Sequence, residues 1–223
     1  FETSEGGTVD RNSSEFQQTF DVSQIGIHSS QGWAKPVEIK VQSNVTFDVE
    51  KSLFQAIKVW NEAIGFDLLK YSGRSNSELE SQLFASLDDD QTMIYLGKNW
   101  GETTGKHLDT IGTTLWENAI ESPGVIIRGD IILNGETYKF VDQSQSEFLA
   151  MNPLYEVDSM SVLLHELGHL IGLAHVNEQE DPWSVMHSTA LVGPGLTYRQ
   201  LSQGDIERVK RIYPVPFADL LGE

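Results

Sequence analysis

Between positions 165 and 175 the chain reads His-Glu-Leu-Gly-His-Leu-Ile-Gly-Leu-Ala-His, and no other stretch limits its folding so tightly. On an α-helix, residues four apart stand one turn up and about 40° from eclipsed, so His165 and His169 point the same way. Two neutral imidazoles so placed can both reach one zinc ion at roughly 2.0 to 2.1 Å. Glu166 lies about 100° round the helix, beside the ion without having to bind it. A helix continued to His175 would carry that residue about 15 Å along the axis from His165, out of reach of a shared ion. Gly172 removes the obstacle, because glycine enters left-handed backbone without steric cost and can end the helix in a turn that brings His175 back. The expected local fold is therefore a helix stopping at Gly172, with a return segment behind it.

The surrounding pattern supports this helix. Asp158 or Ser159 can cap its start, and Met160, Leu163, Leu164, Leu167 and Ile171 form one apolar stripe. Far upstream, Val37, Ile39 and Val41 alternate with Glu38 and Lys40 at the period of a half-buried strand. Asp48 then precedes Leu53, Ile57, Trp60 and Ile64, an amphipathic helix that stops near Gly65. Short strands are predicted at Phe66 to Tyr71, Met93 to Leu96, Ile111 to Trp116 and Ile131 to Leu133. The polar stretch from Ser72 to Asp90 reads as a loop with one helical turn around Leu79 to Leu83. Ser202 and Asp205 signal a last helix through Ile206, Val209 and Ile212, closed by Pro214. Residues 1–35 are polar and irregular and read as an N-terminal extension, a pro-segment or arm; residues 36–223 read as one domain. The expected class is α+β, with about five strands and three main helices.

Charge and cysteine content narrow the function. Fifteen Lys and Arg against 33 Asp and Glu give a net charge of −18. Such a surface repels phosphate backbones and anionic lipid, so neither nucleic acid nor a membrane is an expected partner. No apolar run reaches the roughly 18 residues that spanning a bilayer requires. The chain has no cysteine, which excludes disulfides, thiolate ligands and a thiol nucleophile. It begins at Phe1 and not Met, which reads as a processed product of a secreted, periplasmic or cell-surface protein; a monomer is expected.

By composition, H-E-x-x-H alone should arise by chance roughly once in a hundred such chains; adding Gly172 and His175 lowers that to a few in about 100,000. The sequence is similar to the metzincin zinc peptidases, and within them it most resembles the matrixins. His165, Glu166, His169, Gly172 and His175 match every defined position of the metzincin zinc signature. Ser184-Val185-Met186 stands where that clan places its methionine turn, and Leu201 to Ile206 followed by Ile212-Tyr213 resembles the last matrixin helix.

The resemblance implies a zincin-like twisted mixed sheet and one catalytic zinc on His165, His169 and His175, with Met186 flooring the site. It also implies an endopeptidase that cleaves peptide or protein substrates by a zinc-bound water activated by Glu166. An edge strand at about Gly112 to Trp116 would take the substrate as an added strand, with Thr114 and Leu115 as contact residues. The loop from Ser188 to Tyr198 would border the specificity pocket. Calcium at Asp88 to Asp90 stays open beside the simpler reading of solvated loop charge, and His107 with Asp109 only faintly echoes the matrixins' second zinc site. His28, His107 and His187 read as ordinary structural histidines. Departures are the His187-Ser188-Thr189 that follows Met186 and the absence of a cysteine switch, for which Asp10 or Asp21 could substitute. Two alternatives remain: a noncatalytic peptide-binding or adhesion protein, and a hydrolase of nonpeptide amides or esters.

Overall fold

A computed structural model describes residues 6–7, 26–79, 87, 90–142, 155–189 and 198–214. In chain order its elements are β1 (Gly6–Gly7), β2 (Gly32–Trp33), β3 (Val37–Gln42), α1 (Phe47–Ile64), β4 (Leu69–Ser75), β5 (Thr92–Gly97) and the short α2 (Trp100–Thr104). There follow β6 (Gly112–Ala119), β7 (Ser122–Asn134), β8 (Lys139–Val141), β9 (Glu156–Asp158), α3 (Ser159–Leu170) and α4 (Gln203–Ile212).

The fold is the expected mixed α+β one. Five long strands run in the order β6-β7-β5-β3-β4, with the two-residue β1 outside β6 and β2 against β7. All pairings are parallel except β6 with β7, which are joined by a tight turn. At 13 residues β7 is much longer than the Ile131 to Leu133 expected, because its first half pairs with β2 and its second half with β5. The fourth strand also differs: it begins at Leu69 and not Phe66, and runs on to Ser75. The β8–β9 ladder and α2 carry too few residues to show a period and were not foreseen. Residues 80–83 of the expected helical turn lie outside the described residues.

Both faces of the sheet are covered, so its strands read as near-continuous apolar runs. Ile94, Ile131 and Leu133 join the main core under the helices, whereas Met93, Tyr95, Ile132 and Leu115 turn to the other face and pack with Trp100 and Leu87. Helix α1 is capped by Thr46, two residues before Asp48, which lies in its first turn, and ends at Gly65 with φ of 98°. Its stripe of Val49, Leu53, Ala56, Ile57 and Trp60 is buried, and Trp60 Nε1 donates to the Leu164 carbonyl at 2.9 Å, fixing α1 against α3. Asp158 caps α3 by accepting from Ser161 N, while Arg199 pairs with both Asp158 and Asp142.

At the far end of α3 the unmatched carbonyls are met by side chains. Trp33 Nε1 donates to Leu170 O at 2.7 Å, and Tyr213 Oη donates to Ile171 O at 3.0 Å while accepting from Trp33 N. Tyr213→Phe strips two buried backbone groups of their partner and should lower stability by about 1–3 kcal/mol. Urea unfolding measures this; an unchanged midpoint would show that the hydroxyl is dispensable.

Candidate metal centre

Helix α3 ends in a six-to-one turn: Leu173 N donates to Gly168 O at 2.9 Å and Gly172 N to His169 O at 3.0 Å. Gly172 has φ of 108°, and a Cβ there would stand 2.8 Å from Ser29 O, so both conformation and space demand glycine. The chain then doubles back, pinned by Ala174 N to Gly26 O and Val176 N to Met186 O. The return brings His175 to the two helical histidines. The three Nε2 atoms lie 3.0, 3.1 and 3.2 Å apart.

This trio fits a tetrahedral metal. Bonds of 2.0 to 2.1 Å to three tetrahedral nitrogens require separations of about 3.3 to 3.4 Å, which a slight spreading of the rings provides. The tautomers fit as well: His165 Nδ1 donates to Val185 O and His169 Nδ1 to Leu173 O, each at 2.8 Å, which leaves both Nε2 lone pairs facing inward. Neutral nitrogens so oriented have no proton to share among themselves, and a cation satisfies them together. Burial, then the neighbouring His175, pushes His165 down to about 3, and burial holds His169 well below its usual range, so both stay neutral in ordinary buffers. Among the described residues this is the one group of three or more metal-type side chains close enough to share an ion.

Met186 is fully buried beneath α3, where Gly168 leaves the space that its thioether fills. The methionine turn is held from α4. Asp205 completes the helix cap with Ser202 and also accepts from Ser184 Oγ at 2.6 Å and Val185 N at 3.0 Å. The carbonyl of that same Val185 orients His165, so a buried acid on the last helix steadies one ring of the histidine trio. The sequence offered Asp205 only as a helix-start signal.

Glu166 is fully buried. Its Oε2 accepts from Thr114 Oγ1 at 2.7 Å, and its Oε1 has no partner among the described residues. Burial pushes its carboxyl up to about 7, partly offset by the Thr114 hydrogen bond. On β6, Gly112, Thr114 and Trp116 face this site, whereas the Leu115 side chain points into the apolar cluster on the other face of the sheet. Thus Thr114 is brought to the site and the Leu115 side chain is not.

The other histidines separate clearly. His107 is exposed beside Asp109, and His187 is buried with Nε2 donating to Asp181 O. His28, expected to be merely structural, stacks on Trp116 with centroids 3.9 Å apart and donates through Nε2 to His169 O at 2.8 Å. No spacing links positions 28 and 169, so only the fold could reveal that contact. Asp90 pairs with Arg128 at 3.0 Å. Asp10, Asp21, Asp88 and the Gly193-Pro194-Gly195 bend lie outside the described residues.

Residues 37–214 match the family Peptidase_M10, described as Matrixin. No curated protein matches the chain. Among solved structures it is similar to high choriolytic enzyme 1, a hatching enzyme zinc-protease from Oryzias latipes (medaka fish), at 12% identity and a TM-score of 0.39, over 89% of this chain and 98% of that one. Myroilysin is similar at 11% identity and a TM-score of 0.42, over 97% of this chain and 93% of that one.

Acid should destabilise the metal-free protein. Below about 6.5 the unfolded chain protonates His165 and His169 while the folded chain does not. The unfolded state then binds more protons, so stability falls as pH drops from there toward about 3. The expected slope is about 1.4 kcal/mol per pH unit for each histidine, offset by the same amount down to about 4.5 because folded Glu166 takes up a proton there before the unfolded one does. Urea unfolding of chelator-treated protein across this range checks it, and a flat profile would contradict the buried, neutral pair.

Proposed function

Because the chain belongs to the matrixin family, a family of zinc metallopeptidases, we propose that it is a zinc-dependent endopeptidase with Glu166 as its general base. The observation that carries this reading is the meeting of three inward-facing imidazole nitrogens with a buried carboxylate whose Oε1 has no partner among the described residues. A purely structural site has no need of that carboxylate.

When bound by His165, His169 and His175, zinc supplies Lewis acidity that acidifies water and polarises a carbonyl. Glu166 does the proton work. Its Oε1 takes the proton of the attacking water and returns it to the amine that leaves, and burial raises the proton affinity of this carboxyl above that of a solvated glutamate. His165 and His169 stay neutral, so they bind a cation without first shedding protons.

The substrate is a peptide held extended along β6, whose outer edge offers main-chain donors and acceptors. The edge is already used within the chain: Gly6–Gly7 pairs in parallel with Leu115 and Trp116. In this reading the N-terminal extension competes with substrate for that edge. Removing residues 1–7 should raise kcat/KM several-fold on a fluorogenic peptide; an unchanged value would remove the extension from the account.

The main test is digestion of a diverse peptide library by the zinc-loaded protein, beside Glu166→Ala under the same conditions. Cleavage by wild type and at least a 100-fold loss in the variant, with zinc content equal, is the expected result. A wild type that binds peptides and zinc but cuts none would favour the noncatalytic binding reading.

A further inference from the structure

A buried carboxylate in a proton-transfer role must present one oxygen to the reacting water, and its terminal torsion does little to choose which. That torsion is broad and roughly two-fold, so without a partner the two oxygens of Glu166 would exchange freely. The surroundings of Glu166 remove the freedom. Thr114 is 1% exposed, and its hydroxyl lies 2.7 Å from Oε2 and 3.0 Å from the Glu166 main-chain carbonyl. A threonine hydroxyl carries one proton, so its only donor is directed at Glu166, with the shorter contact to Oε2. On the other side, a Cβ at Gly112 would stand 2.8 Å from Oε1 and 3.3 Å from the carboxyl carbon. The strand therefore holds one oxygen with a hydroxyl and clears space for the other by having no side chain.

We infer that Thr114 is a positioning residue for peptide hydrolysis: its hydroxyl holds Glu166 Oε2 so that Oε1 alone serves the reacting water, while Gly112 keeps Oε1 open. The two residues sit two apart on β6 and so share the face turned to α3. Register does the rest. Thr114 pairs with Ile131 and Gly112 with Leu133, both in the middle of the sheet, so the strand that carries them cannot shift easily. The assignment differs from the substrate contact expected of Thr114 from sequence, since its buried hydroxyl is already committed. It acts through Glu166 and rests on the endopeptidase reading.

The experiment compares Thr114→Val, Thr114→Ser and Gly112→Ala with wild type, all zinc-loaded. It measures kcat and KM separately on one fluorogenic peptide, with zinc affinity by chelator competition and the urea midpoint as readouts independent of turnover. Thr114→Val should lower kcat by about 10- to 100-fold, the scale on which misplacing a reacting group acts, with KM and zinc affinity within about twofold of wild type. Thr114→Ser keeps the hydroxyl and should restore kcat to within about threefold of wild type. Gly112→Ala crowds Oε1 and should lower kcat with zinc retained, which keeps the inference open to refutation should Thr114→Val fail to fold. A kcat unchanged in Thr114→Val or in Gly112→Ala overturns it, as does a serine variant no better than valine. A raised KM with kcat intact would return Thr114 to substrate contact. A wild type without peptidase activity would sink the endopeptidase reading instead, and a cleaving wild type with indifferent variants would sink this inference alone.

Discussion

The left-handed turn at Gly172 is the constraint around which the rest is organised. Without it α3 would run on, and the third imidazole would leave the first two. The turn has a cost, because it buries the end of a helix with carbonyls that lack intrahelical partners. The molecule answers with side chains from distant positions: His28 on His169 O, Trp33 on Leu170 O, Tyr213 on Ile171 O. The segment 26–33 and the residue just after α4 are therefore parts of one helix terminus, though about 180 residues separate them.

Burial does opposite things to the two kinds of titratable group at the centre. It disfavours charge on both, so the histidines are readied as neutral ligands while the carboxyl beside them is pulled toward its protonated form. A divalent cation resolves the opposition, since it binds the lone pairs and favours the carboxylate at once. The arrangement is notable in a chain of net charge −18, because the ligand trio contains no acid. With uncharged imidazoles around it, a cation held there would keep its full charge.

How much the sequence disclosed follows from how local each signal is. The helix, its glycine stop and the meeting of the three histidines were legible because they lie within eleven consecutive residues whose spacing maps directly onto helix geometry. The capping box at Ser202 and Asp205 was legible for the same reason. That Asp205 also holds the methionine turn was not, because its contacts to Ser184 and Val185 cross about 20 positions with no periodic pattern. Helix α1 and strand β3 were placed well by their apolar periods, whereas β7 was underestimated because Gly124 and Gly129 interrupt its apolar pattern while the ladder passes through them. The facing of β6 needed the sheet itself: in Gly-Thr-Thr-Leu-Trp both neighbours of any residue are plausible inward positions, and only the packing of Leu115 with Met93 and Ile132 assigns the faces.

The relay from Asp205 through Val185 to His165 also bears on when the site can exist. Once residue 175 has been synthesised, the three histidines and Glu166 are present and His28 and Trp33 can already meet two carbonyls of the helix end, but the groups that steady His165 and meet the Ile171 carbonyl are still to come. Those supports arrive with Asp205 and Tyr213, some 30 to 38 positions later. A chain that stops before Asp205 thus carries the three histidines and Glu166 without part of their framework. The folding of the last helix therefore completes the support of a centre whose side chains all lie upstream of it.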